Sequence, residues 1–410
     1  MGRAQRYLES MLSPAKSFEA VLFDLDGTLV ATDRFWPDAA RAGALRAFAE
    51  LGVERTMPTS EDWMGLVGLP LAQGFDQLFA DLSPDQRSHL LERCVEEEHR
   101  LLREGRAGLL PGVLSTLEWL HGEGFRIGVA SNCSQAYLDA MLAGTGLGAW
   151  VHAARCLHSP GIRHKADMIE ELLIEFRTRR ALMVGDRDGD RQAAWANGLP
   201  HVHLTRGYAT SGEEVPAEAT LPGMDGLIDL MGRRMQAVEA CLMELAPGAR
   251  GVLGLMGPPA AGKAWFAADL ARCLEARGYT TRILDVGDFF QAPGSFDPGK
   301  TDLEAQRTLL REDELLEEIR LQGADWTLVH GPGLRHPRYL RALDRVLEVR
   351  ASWPVVERRI RGGHPLQVPD GLDRVDWART LWEWDRAAAG LAPARVVAHA
   401  QLDGDNWLLP

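Results

Sequence analysis

Short apolar runs recur along the first half of the chain, at residues 20–25, 125–131, 181–185 and 201–204, each bounded by Gly, Asp or Asn. Runs of this length read as buried strands. Between them the apolar positions fall at helical spacing, over 112–122, 134–143, 165–177 and 189–197. Strand–helix alternation predicts an α/β fold, a parallel sheet covered on both faces with its site at the strand C-terminal ends. The stretch after the first strand breaks this rhythm. Residues 33–51, 61–66, 71–81 and 84–104 keep a helical period, interrupted by Pro58, Pro70 and Pro84, with no clear strand. They read as a helical cap tethered near 30–33 and 106–112, with Gly105, Gly108, Pro111 and Gly112 as one hinge. Residues 207–223 read as a loop and 224–245 as a helix ended by Pro247-Gly248. A second strand–loop–helix pattern then begins at Gly251. The expected division is a core of 1–31 with 108–235, a cap of 32–107, a linker of 236–249 and a second α/β domain of 250–410.

Composition agrees with several domains and real cores: 410 residues, 46% hydrophobic and 25% charged. The net charge of -13, with no long Lys/Arg block, argues against a nucleic-acid partner. Cys94, Cys133, Cys156, Cys241 and Cys273 are scattered without CxxC spacing and read as reduced thiols. No apolar run reaches the roughly 18 residues needed to span a bilayer. The N-terminus also lacks a signal peptide's hydrophobic region, so the cytoplasm is the expected location. Nothing in the pattern gives an oligomeric state.

The chemistry gathers at the predicted strand ends. Val21-Leu22-Phe23-Asp24-Leu25-Asp26-Gly27-Thr28 carries two acids two residues apart, which on a strand face one side. Gly27 permits a sharp turn, and Thr28 offers a hydroxyl beside the acids. Paired carboxylates suit a site where one attacks phosphorus and the other moves a proton, beside a divalent cation. The next strand ends in Ser131-Asn132, able to donate to a phosphoryl oxygen; as a sequence, Ser-Asn is equally a helix cap. Lys165 opens a helix, and Val184-Gly185-Asp186-Arg187-Asp188-Gly189-Asp190 supplies oxygen ligands for a hard cation.

In this order, over about residues 18–235, the four elements resemble the haloacid dehalogenase (HAD) superfamily of phosphatases and phosphotransferases. The helical insert is similar to the cap of its subfamily I, shared by phosphoglycolate phosphatases and β-phosphoglucomutases. The resemblance implies a Rossmann-like core, Mg²⁺ as cofactor and a small phosphorylated metabolite as substrate. It implies Asp24 as nucleophile forming an aspartyl-phosphate and Asp26 as acid and base. Thr28, Ser131, Asn132 and Lys165 would bind the phosphoryl group. Asp24, Asp26 (through its main-chain carbonyl), Asp186 and Asp190 would hold or support the metal. The segment Trp63–Pro70 is the place where a cap would read the leaving group, or else a plain Gly/Pro helix connection. Arg34, Trp36, Cys133 and Arg187 are further residues that could line the cavity.

In the second half, the strand Gly251–Met256 runs into Gly257-Pro258-Pro259-Ala260-Ala261-Gly262-Lys263-Ala264, which matches GxxxxGK without the final Ser or Thr. A helix at 264–277, strands at 281–286 and 326–330, and Asp288 in Gly287-Asp288-Phe289-Phe290 follow. This half resembles the P-loop kinases of the uridine kinase, pantothenate kinase and phosphoribulokinase group. The resemblance implies ATP or GTP at Gly257, Gly262, Lys263 and Ala264, and Asp288 as the base for a substrate hydroxyl. Arg358, Arg359 or Arg361 would clamp phosphate. Ala264 and His330 stand where such kinases carry oxygen ligands, which implies an impaired kinase-like domain. Trp377, Trp382 and Trp384 read as core or interface residues. Three alternatives stay open for the whole chain: a bifunctional phosphatase-kinase on a nucleoside, sugar or nucleic-acid end, a sugar-phosphate mutase, and a second half that senses nucleotide.

Overall fold

The computed structural model describes residues 18–245, 249–290, 310–321, 323–368, 372–388 and 396–403. The helix stop at Pro247-Gly248 and the N-terminal leader reading lie outside these residues. The described chain divides into a first unit, Phe18–Asp229, and a second that begins at Leu230.

The first unit is built on six parallel strands in the order β3-β2-β1-β4-β5-β6. These are β1 (Ala20–Phe23), β2 (Arg126–Ser131), β3 (Ala153–Cys156), β4 (Ala181–Gly185), β5 (His201–Leu204) and β6 (Ala219–Leu221). β1 is central and wholly buried, pairing Ala20–Phe23 with Arg126–Val129 on one side and Ala181–Val184 on the other. Its unbroken apolar run is what burial on both faces demands. One face packs Leu22, Met183 and Ala130 against Met168, Ile169 and Leu172 of the Lys165–Phe176 helix and Ala193–Trp195 of the Asp188–Ala196 helix. Two strands escaped the sequence reading. β3 is a four-residue, half-exposed edge strand, and β6 is three residues inside what reads as a loop. β1 also stops at Phe23, so Asp24 and Asp26 lie just beyond the strand rather than alternating on it.

The cap consists of the helices Trp36–Leu51, Ser60–Met64, Leu71–Leu78 and Pro84–Arg103. Its two tethers are paired: Val30 bridges Leu109, with Ala31 N–H donating to Gly108 O (2.9 Å) and Leu110 N–H to Leu29 O (3.0 Å). Inside the cap, Trp63, Phe75 and Phe79 form a tilted aromatic cluster with centroids 5.4–6.1 Å apart. The two long helices meet at Gly43, where a Cβ would stand 2.4 Å from Cys94 Cα.

The second unit holds five parallel strands in the order β11-β10-β7-β9-β8. They are β7 (Gly251–Met256), β8 (Thr281–Asp285), β9 (Trp326–His330), β10 (Arg345–Arg350) and β11 (Val396–Asp403). The expected linker at 236–249 is corrected. The helix Gly226–Glu244 runs through it, and its Val238, Cys241 and Leu242 bury against Leu253, Leu270 and Leu328 of the second unit. An apolar face explains why: those residues recur at helical spacing and need a core to cover them. Trp377 and Trp384 are buried and meet edge to face (5.7 Å), as core residues do. None of the five cysteines is joined in a disulfide. Among the described residues no helix is long and apolar enough to cross a membrane.

Gly43→Leu is expected to destabilise the first unit by about 1–3 kcal/mol, because backbone on the facing helix cannot retreat cheaply. Urea unfolding followed by circular dichroism checks this, and an unchanged midpoint would refute the tight contact.

Candidate active site

Four loops at the C-terminal edge of the first sheet bring their side chains together. Asp24 N–H donates to Val184 O (3.0 Å), which fixes the chain leaving β1 against β4. The turn that follows needs Gly27: its φ is 81°, and a Cβ there would lie 2.4 Å from Asp186 Oδ2. Asp167 accepts from the N–H groups of Arg163 (2.9 Å) and His164 (3.2 Å), so the helix starts at Lys165 and aims its side chain inward. Lys165 Nζ then donates to Asp24 Oδ1 and to Asp190 Oδ1, both at 2.6 Å, with all three groups buried. Asp190 also accepts from Arg187 N–H through Oδ2 (3.0 Å), which caps its own helix.

Asp186 is held from two sides, by the Thr28 hydroxyl at Oδ1 (3.2 Å) and by Tyr208 N–H at Oδ2 (2.5 Å). Oxygens of Asp24, Asp186 and Asp190 lie within 4.8 Å of one another. Asp24 Oδ2 is buried and has no partner among the described residues. An orphaned carboxylate oxygen among converging acids fits a hard divalent cation with oxygen ligands.

The electrostatics follow from this crowding. Burial raises Asp24 to about 7; Lys165 opposes the rise, while Asp190 and Asp26 add to it. Burial, then the charges of Asp24 and Asp190, push Asp186 well above the usual carboxylate range. Burial alone would discharge Lys165, but Asp190 and Asp24 more than offset it and its pKa rises. Asp26 is also raised by burial, against two hydrogen bonds to its Oδ1, from Thr32 (2.6 Å) and from the Tyr137 hydroxyl (2.5 Å).

Asp26, Thr32, Tyr137 and Ser131 open on a cavity of about 360 Å³ whose remaining walls come mostly from the cap. The 66–70 segment lines it and is gripped by the core: Asn132 Nδ2 donates to Gly68 O (2.9 Å) and Arg187 Nη1 donates to Val67 O.

The haloacid dehalogenase-like hydrolase family profile matches residues 21–203. A phosphoglycolate phosphatase of Aliivibrio fischeri is 30% identical over 212 residues, 47% of this chain and 86% of that protein. One from Pseudomonas putida is 29% identical over 230 residues, 54% of this chain and 81% of that protein. The chain belongs to the haloacid dehalogenase-like hydrolases. A solved structure from Haemophilus somnus, described as a predicted phosphoglycolate phosphatase, aligns with 52% of this chain and 98% of its own at 21% identity, with a TM-score of 0.47.

In this HAD-like hydrolase the expected residues Asp24, Asp26, Thr28, Ser131, Lys165, Asp186 and Asp190 do converge. Asn132 is diverted: its side chain holds the cap segment. Trp36 and Cys133 line the cavity, whereas Arg34 and Arg187 do not. The sequence reading missed Thr32, Tyr137 and Tyr208. It also missed Glu98, a 5% exposed acid on the apolar face of the Pro84–Arg103 helix. Burial, then the charge of Asp26, push Glu98 well above its ordinary value. An acid in phase with Leu91 and Val95 on that helix was the available signal.

The second unit places Gly262 (φ 83°) as the cap of the Lys263–Ala276 helix, and Gly257 so close to Val349 O that a Cβ would lie 2.3 Å away. A cavity of about 510 Å³ is lined by Gly262, Lys263, Ala264, Asp285 and His330. Burial lowers Lys263 to about 8, and its Nζ donates to Pro258 O. Asp288 turns elsewhere, accepting from Gln367 Nε2 (2.7 Å), and the acid that lines this cavity is Asp285. Of the three arginines, Arg359 is buried and donates to Ala260 O (2.9 Å), while Arg358 and Arg361 bond within their own helix.

Asp24 binds a proton more tightly in the fold than in the unfolded chain, so the wild type loses stability as pH rises from about 4 to about 7. Asp24→Asn does not titrate. In chelator it should melt above the wild type by on the order of 5 °C at pH 7, with no gap below pH 4. Calorimetric melting across this range checks it, and a gap independent of pH would refute the electrostatic account.

Proposed function

We propose that the first unit is a Mg²⁺-dependent phosphomonoester hydrolase acting on a small phosphorylated metabolite through an aspartyl-phosphate on Asp24. The observation that carries this reading is the Asp24–Lys165–Asp190 bridge beside an acid, Asp26, that faces a cavity roofed by the cap. The relatives named as phosphoglycolate phosphatases support phosphoric monoesters as the substrate class. Asp24, Asp186 and the main-chain carbonyl of Asp26 would hold Mg²⁺, with Asp190 in support; when bound, the ion offsets charge on the transferring phosphoryl group.

The chain's own residues would do the rest. A carboxylate oxygen of Asp24 attacks phosphorus, and the bond from phosphorus to the leaving oxygen breaks. Asp26, its carboxyl raised by burial, gives its proton to that oxygen and the alcohol departs. Water then attacks the aspartyl-phosphate and gives a proton to Asp26. The phosphorus–Asp24 bond breaks and inorganic phosphate leaves. Lys165 keeps Asp24 ionised and close to the phosphoryl oxygens, Ser131 donates to them, and Thr32 and Tyr137 hold the Asp26 carboxyl in place.

For the second unit the reading is a kinase-like domain, impaired in catalysis, that binds a nucleotide at the 257–264 loop. What favours it is the parallel order β10-β7-β9-β8, with this loop joining central β7 to a helix that Lys263 begins. Backbone N–H groups at such a turn suit phosphate.

Asp24→Asn should lower phosphate release from a general substrate such as p-nitrophenyl phosphate by more than about a thousandfold, with an unchanged circular dichroism spectrum. Retained turnover would overturn the nucleophile assignment. Calorimetry should show the full chain binding ATP or GTP, with the signal lost in Lys263→Ala. No heat at millimolar nucleotide would sink the second reading.

A further inference from the structure

The leaving-group end of the first cavity is unusual in its charge. Its walls are mainly aliphatic and aromatic, with Leu91, Val95, Trp36 and Tyr137 among them. Two carboxyl groups also reach it: Asp26 from the core and Glu98 from the cap. Among the described residues lining it there is no lysine or arginine, and its one imidazole, on His158, is exposed. Glu98 is 5% exposed, and among the described residues no hydrogen bond or ion pair reaches its carboxylate.

A carboxyl group buried among apolar neighbours without a partner is costly, and a cavity wall is where a ligand can supply that partner. Leu91, Val95 and Glu98 are spaced four and three apart, so one face of the Pro84–Arg103 helix turns this acid toward the cavity. A leaving group bearing its own carboxylate would find two acids there and no cation to pair with. A neutral one would leave the acid unmatched. An ammonium entering beside Glu98 would favour the ionised carboxylate that burial disfavours and pair with it, with the aromatic walls adding a favourable cation–π surface.

We infer that the substrate is a phosphomonoester of an amino alcohol, and that Glu98 is the counter-ion that reads its ammonium group. This rests on the phosphatase reading and narrows it. Glu98 is a specificity residue of the cap, apart from the phosphoryl-transfer machinery.

The test is kcat/KM of the Mg²⁺-supplemented full chain, near neutral pH, on three small esters. They are ethanolamine phosphate, its neutral isostere n-propyl phosphate, and 2-phosphoglycolate. Ethanolamine phosphate should exceed n-propyl phosphate by roughly ten- to a hundredfold, the scale of a charge-assisted hydrogen bond, with 2-phosphoglycolate lowest. Glu98→Gln, which keeps the shape and removes the charge, should bring the first ratio close to one. The inference is overturned by a wild-type ranking in which n-propyl phosphate or 2-phosphoglycolate equals or beats ethanolamine phosphate. A ratio unchanged in Glu98→Gln overturns it too. Should that variant not fold, the wild-type ranking decides alone. p-Nitrophenyl phosphate separates the two levels. If it is hydrolysed, with Asp24 required, but no amine preference is seen, only this inference falls. If no ester is hydrolysed, both fall.

Discussion

The bridge from Lys165 to Asp24 and Asp190 is the contact on which the first unit's chemistry depends. Three acids converge in a space that water barely enters, and one ammonium sits between two of them. Removing the single ammonium from such a buried set typically costs about 3–5 kcal/mol, because the carboxylates are then left without compensation. The arrangement is therefore tense without a cation, and the tension is useful. It leaves Asp24 with one oxygen neutralised by Lys165 and the other bare. That asymmetry is what a carboxylate needs if one oxygen is to stay anchored while its partner forms a bond.

Local architecture serves this cluster. β1 contributes an apolar run that ends as the acids begin, and β4 does the same for Asp186. Helix starts at Lys165 and Asp188 are set by capping carboxylates, Asp167 for the first and Asp190 for the second. Asp190 is economical in this respect: one oxygen receives Lys165 and the other holds the backbone of its own helix. The same residue is thus both fold and site.

The core of this arrangement was legible in the chain because each part is short-range. An apolar run followed by Asp24-Leu25-Asp26-Gly27-Thr28, or by Gly185-Asp186, announces strand, turn and acid within a few residues. The helical cap was equally plain from its period. What could not be read came from elsewhere in the fold. Thr32 and Tyr137 meet on Asp26 although 105 positions separate them, and Tyr208 reaches Asp186 from a stretch that reads as loop. β3 and β6 hid because short edge strands carry little pattern. The helix 226–244 ran past the expected linker because its apolar face belongs to the second unit's core. In that unit, spacing led to Asp288 while the cavity is lined by Asp285, three residues earlier on the same strand end.

The grip of the core on the 66–70 segment has a consequence for how this enzyme could change. Asn132 and Arg187 hold the carbonyl oxygens of Gly68 and Val67, groups that every amino acid possesses. Apart from Gly68, whose φ of 88° favours glycine, this hold does not depend on which side chains the segment presents. Leu66, Val67 and Leu69 can be exchanged to suit another molecule while these two hydrogen bonds persist, so selectivity and anchoring are free to evolve on separate atoms.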